Sequence, residues 1–185
     1  MATVMNTLYE LAQDLQACVE REYDKYLDHE DVQKLPVEEN RFITIGSLGM
    51  LPQNSSDQLA VYIGAPFPGF AQQGDSTVSL SPTSVMMAVD LTRCYPQPSV
   101  SRSNGRIIDK KFHEELARAT KTQSNDLLII RDATKAFYDT YGAGEGIVDN
   151  IQVAIGQDNS GALIHLTATV NVLLARKARE ILVRN

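Results

Sequence analysis

The chain has 185 residues, with 43% hydrophobic and 22% charged side chains, a formal net charge of −6, two cysteines and no tryptophan. That length suits one domain with a real core and is short for two, so residues 1–185 are expected to form a single domain. An acidic chain without a Lys/Arg block is poorly equipped to grip nucleic acid irrespective of sequence, which needs clustered cations to displace counterions, and Cys18 and Cys94 are too few for a four-ligand zinc site.

The N-terminus, MATVMNTLYELAQDL, lacks the basic start and unbroken apolar stretch of a signal peptide, so synthesis in the cytoplasm is expected. No window approaches the ~18 apolar residues of a membrane span. Over residues 3–28, Leu8, Leu11, Leu15, Cys18, Val19, Tyr23 and Tyr26 recur every three or four positions, which predicts an amphipathic helix with Cys18 as a buried free thiol.

After the polar connection HEDVQKLPVEEN, the segments RFITIGSL (41–48) and QLAVYI (58–63) read as short strands. GAPFPGFAQQGDS (64–76) lacks periodicity and reads as a Gly/Pro-rich exposed loop. Its Phe67 and Phe70 either tuck locally or meet a partner.

Residues 85–91 alternate as a further strand, with Asp90 on the Met86–Ala88 face. An acid there suggests a sheet edge or an interface. CYPQPSVSRSNGR follows as a second loop, so exposed loops are expected near 64–77 and 94–108. Two helices are then expected. The first is KKFHEELARAT (110–120); the second begins at a Ser124 or Asn125 cap, with Asp126 in its first turn favoured by the helix dipole, and ends at Gly142.

IQVAIGQDNSGALIHLTATVNVLL (151–174) reads as a hairpin turning at Asp158–Gly161. Ala162, Ile164, Leu166, Ala168, Val170, Val172 and Leu174 share one face, while His165, Thr167, Thr169 and Asn171 share the other. The order predicts an α+β fold: an antiparallel or mixed sheet with a long C-terminal hairpin, an N-terminal helix and one or two further helices.

No enzyme signature stands in this sequence. His113-Glu114-Glu115 lacks the second histidine of a zinc-protease helix, since Ala117 occupies that position, and reads as a solvated helix face. Gly142–Gly146 follows a helix and precedes a strand, the reverse of a phosphate-binding loop, and reads as a helix cap and linker. Glu38-Glu39 and Glu114-Glu115 are adjacent and diverge. His29 shares no ligand spacing with the other histidines, and His165 among threonines suggests a hydrogen-bonded surface or interface residue. No cofactor and no metal are expected.

LYELAQDLQACVEREY, STVSLSPTSVMMAVDLTRCYP, NDLLIIRDATKAFYDTYG and the closing hairpin, in that order, resemble the tail terminator proteins of long-tailed bacteriophages. The resemblance covers most of the chain. It implies a non-enzymatic virion protein, assembled in the host cytoplasm as a homo-oligomeric ring, most often six-fold, on the head-proximal end of the tail tube. Tail tube protein and a head-completion or connector protein would be its partners, with DNA passing through the lumen without specific binding. Phe67, Phe70, His165, Thr167 and Thr169 are then the candidate subunit or partner contacts. The alternatives are another neck or head-completion protein, or a small enzyme whose site draws on His113, His165 and Asp90.

Overall fold

The computed structural model describes residues 3–46, 57–68, 82–101, 105–107, 110–141, 151–157 and 162–173. The helices are α1 (Thr3–Asp24) and α2 (Lys110–Tyr141). The strands are β1 (Arg41–Ile45), β2 (Gln58–Pro68), β3 (Pro82–Cys94), β4 (Ser99–Ser101), β5 (Gly105–Ile107), β6 (Gln152–Gln157) and β7 (Leu163–Leu173). The fold is α+β. Among the described residues five strands form a mixed sheet in the order β1-β2-β3-β7-β6, in which β1 and β2 run parallel and the other neighbours antiparallel. β4 and β5 make a separate two-stranded antiparallel sheet within the stretch expected to be loop.

Period-two patterning places Leu59, Val61 and Ile63 of β2, Val85 to Leu91 of β3 at odd numbers, and Ile164 to Val172 of β7 at even numbers on one face. These side chains are buried against Leu11, Leu15, Val19 and Tyr23 of α1 and Ile130, Ala133 and Phe137 of α2. The apolar face of β7 therefore packs on the helices, as its alternation predicts, whereas Val153 and Ile155 of β6 on the same face do not. α1 lies over β2 and reaches β1 and β3, while α2 lies over β7 and reaches β3. Two helices, each about 10 Å across, cover roughly four strands spaced about 4.8 Å apart. The fifth, β6, is left uncovered, and all six of its residues are exposed.

Several expected boundaries move. α1 stops at Asp24, and successive three-residue turns follow it, with Tyr26 N–H on Tyr23 O at 2.9 Å and His29 N–H on Tyr26 O at 3.0 Å. Tyr26 is therefore exposed instead of continuing the buried stripe. Residues 110–141 form one helix where two were expected. No Gly or Pro interrupts them, and Ser124, expected as a cap, donates from Oγ to Thr120 O at 2.8 Å inside the helix. Asp126 is thus a mid-helix residue, so the dipole does not explain it.

β2 runs on to Pro68 through the Gly/Pro stretch expected to be loop, with a register shift between Ile63 and Pro66. A bulge is where a strand accommodates proline. Gly64 fits closely there: a Cβ would come within 3.1 Å of Met86 O, so a larger residue would require β3 to give by a few tenths of an ångström. The hairpin turn 158–161, Leu174 and the Gly142–Gly146 stretch lie outside the described residues.

Arg93 continues the helix-facing phase of β3 and is 1% exposed. Its Nε donates to Asp126 Oδ2 at 2.9 Å, its Nη1 to Asp57 Oδ2 at 2.9 Å, and its guanidinium also meets the carbonyls of Lys34 (3.0 Å) and Gln33 (3.3 Å). Tyr23 donates its hydroxyl to Asp126 Oδ1 at 2.7 Å. This network ties α1, α2, β3 and the 25–40 connection at one corner of the core. Burial, the largest single effect, works against the charge of Arg93, but its hydrogen bonds to Asp126 together with the nearby charges of Asp126 and Asp57 more than offset it and raise its pKa. Burial, then the Asp126 carboxylate, holds the Tyr23 phenol well above the ordinary tyrosine range.

Candidate functional site on the sheet face opposite the helices

The second face of the sheet carries the even positions of β2 and β3 and the odd positions of β7. Across β3 and β7, Thr92 opposes His165, Asp90 opposes Thr167, Ala88 opposes Thr169 and Met86 opposes Asn171. No described helix packs on this face. Ala60, Tyr62 and Ala88 form a small apolar cluster there.

Asp90 is the focus. Its sequence context suggests an edge or interface residue, yet it lies on the central strand and is 3% exposed. A buried carboxylate needs donors. Thr92 Oγ1 donates to Asp90 Oδ1 at 3.1 Å, and Thr167 Oγ1 donates to Oδ2 at 3.3 Å. His165 Nδ1 lies 3.3 Å from Asp90 Oδ1 and 3.2 Å from Thr92 Oγ1. Since Thr92 spends its proton on Asp90, the consistent tautomer carries hydrogen on Nδ1, shared between the carboxylate and the threonine oxygen. The neutral ring then presents Nε2 as an acceptor.

Tyr62 lies on the same face, diagonal to Asp90 across β2 and β3. Its hydroxyl is buried and has no hydrogen-bond partner among the described residues. Burial, then the nearby Asp90 charge, pushes the phenol above the ordinary tyrosine range.

An aspartate that fixes a histidine tautomer is one half of an acid–base site; the other half is a nucleophile or substrate within reach of Nε2. Cys94 falls in the same phase of β3, two residues beyond Thr92, and is exposed. Burial of the thiol, then the Asp57 carboxylate, pushes its pKa up, which disfavours the reactive thiolate. Thr92 and Thr167 already spend their hydroxyl protons on Asp90. Among the described residues, the geometry orients an imidazole and brings no activated nucleophile to it.

Of the candidate residues, His165 and Thr167 join this cluster, and Thr169 lies one rung further along the same face. His113 is on the exposed surface of α2 and takes no part. Glu114 and Glu115 pair instead with Lys110 and Lys111 along α2, each at 3.6 Å. His29 is exposed and accepts the Asp31 N–H at 3.4 Å. The backbone of Phe67 pairs with Ser84 at the end of β2; its side chain and all of Phe70 lie outside the described residues. Cys18 is a buried free thiol. Among the described residues, no helix is long and apolar enough to cross a membrane, and no three His, Cys, Asp or Glu side chains converge as a metal site would require.

No protein-family model matches this chain, and no curated protein or solved structure matches it either.

Proposed function

We propose that this chain is a structural virion protein of the tail-terminator kind. Its copies form a ring, six-fold by the resemblance, that caps the head-proximal end of a phage tail tube, ends tube growth and joins tail to head. The observation that carries this reading is the one-sided layering. Both helices pack on one face of the sheet, and the other presents a ladder of hydroxyl and amide side chains, Thr167, Thr169, Asn171 and Gln152, with no described helix upon it. Such a face suits a repeated contact between like subunits around a closed axis. The net charge of −6 suits a lumen that lets DNA pass without adhering.

The seam is tested at Thr169 and Asn171. Thr167 is unsuitable, because its hydroxyl serves the buried Asp90. Thr169→Lys with Asn171→Lys would leave the folded monomer intact and place like charges at every seam. Light scattering and electron microscopy with purified tail tubes would show capped tubes for the wild type and loss of capping for the variant. A variant that caps tubes as well as the wild type does would remove this face from the seam. A wild-type protein that ignores tubes but binds a head connector would favour a head-completion role.

A further inference from the structure

We propose that the outer edge of β6, over residues 152–156, pairs with the same edge of a second copy of this chain, antiparallel about a twofold axis through Ala154. This contact does not depend on the ring reading. Among the described residues β6 is the last strand of the sheet, laddered there with β7 alone, and every one of its residues is exposed. Natural sheets usually guard such an edge with Lys, Pro, an inward charge or a covering element. Gln152-Val153-Ala154-Ile155-Gly156-Gln157 contains neither proline nor charge. Instead it exposes Val153 at 37% and Ile155 at 65%, both on the helix side of the sheet, where the two-helix layer does not reach.

The sequence of the strand selects a second copy as the occupant. Residues facing each other across an antiparallel pair lie on the same face of the sheet. A twofold axis perpendicular to the sheet must then pass through a residue, not between two. Axes at 154 and at 155 each keep five residues per strand paired (152–156 and 153–157). The axis at 155 sets Val153 against Gln157, whereas the axis at 154 sets Val153 against Ile155 of the second copy and Ile155 against its Val153. Both exposed apolar side chains are then covered reciprocally, with Ala154 facing itself on the axis. Two copies of an acidic chain repel in general, and this neutral strand lets them meet without opposing like charges.

The contact is small. About six residues per copy take part, against the 20–30 of a standard interface. In the joined sheet, β7 and its symmetry mate stand about 14 Å apart, beyond the 8–10 Å of packed helices, so the two α2 helices do not add to it. The dimer is therefore weak and concentration-dependent.

Sedimentation from low micromolar to near-millimolar concentration would show the wild-type mass rising toward two chains. Ile155→Lys would stay monomeric with an unchanged melting temperature, because that side chain is mostly exposed. The register has its own test. In a Cys94→Ser background, Ala154→Cys would form an intermolecular disulfide under mild oxidation, since facing residues lie about 4.5–5.5 Å apart at Cα. Gln152→Cys would not, because it faces Gly156, and mixing it with Gly156→Cys would restore the crosslink. The proposal is overturned by a wild type that stays monomeric throughout, by equal association of Ile155→Lys, or by faster crosslinking of Ile155→Cys than of Ala154→Cys.

Discussion

Arg93 Nε lies 2.9 Å from Asp126 Oδ2, and neither side chain is more than 2% exposed. Breaking a buried ion pair from one side leaves the other charge in the core, which typically costs about 3–5 kcal/mol. Asp126→Leu is expected to fall in that range, because it also removes the acceptor of Tyr23. Arg93→Met is expected to cost at least as much, since it strands the fully buried Asp126 carboxylate with the Tyr23 hydroxyl as its remaining donor, whereas Asp126→Leu leaves Arg93 paired with Asp57 and the carbonyls of Lys34 and Gln33. The double variant should be more stable than the sum of the two losses predicts. Urea unfolding of the four proteins measures the coupling; additive losses would show that the two charges are held independently.

The two buried tyrosines should respond in opposite ways to loss of their hydroxyls. Tyr23 donates to Asp126 at 2.7 Å, so Tyr23→Phe is expected to cost about 1–2 kcal/mol. Tyr62 has no partner among the described residues, so Tyr62→Phe should be neutral or stabilising, by up to about 1 kcal/mol. A clear loss at Tyr62→Phe would mean that an ordered water bridges the phenol to Asp90.

Tyr23 also sets an alkaline limb. In the unfolded chain its phenol ionises near pH 10. In the folded chain burial, then Asp126, keeps it protonated well above that. Above about pH 10 the unfolded state gives up a proton that the folded state retains, so stability falls as pH rises; below it the contribution is complete. Tyr23→Phe should flatten this limb. The check is denaturant unfolding at stepped pH values above 9, and an unchanged slope would assign the limb to other groups.

The hairpin faces were legible because a period of two has no other reading over eleven residues, and Ile164 to Val172 pack where the alternation points. The helix count was not. Ser124 and Asn125 have the chemistry of caps, and only the three-dimensional contacts show them bonding Thr120 O and Asp31 O instead. Arg93 carried an unused signal: it continues the phase of Val85, Met87, Val89 and Leu91, and a charge in an apolar phase requires a buried partner. Which acids serve it, Asp57 and Asp126, depends on contacts 36 and 33 residues away in sequence. Asp90 misled for a related reason. An acid in a strand reads as an edge residue unless its donors are known, and His165 and Thr167 come from a strand more than seventy residues later.

The thiols should separate cleanly. Cys18 is buried and Cys94 exposed. Maleimide is expected to label Cys94 in the folded protein and Cys18 only after unfolding. Because burial and Asp57 both favour the protonated thiol, Cys94 should react more slowly than a free cysteine at neutral pH and gain on it as pH rises. Mass spectrometry of timed reactions provides the measurement. A Cys94 that outpaces free cysteine would point to an activated thiolate and reopen the catalytic reading of the His165 cluster.

Asp90 and His165 separate scaffold from chemistry. Asp90 accepts hydrogen bonds from Thr92 and Thr167 and faces His165 Nδ1, all on the central part of the sheet. Asp90→Ala removes the shared acceptor of the Thr92 and Thr167 hydroxyls and leaves the buried Thr92 hydroxyl with His165 Nδ1 as its partner, so a loss of about 1–3 kcal/mol is expected. His165 is 30% exposed at its side chain, and His165→Ala should cost less than about 1 kcal/mol because water can replace the imidazole. If the cluster is a brace for a subunit face, Asp90→Ala should weaken tube capping only in step with its stability. Capping by His165→Ala should stay near wild type. Thermal unfolding measures the first pair of expectations and tube capping the second. A His165→Ala protein that keeps its melting temperature yet loses all capping would make the imidazole itself a contact with the neighbouring subunit, not part of the brace.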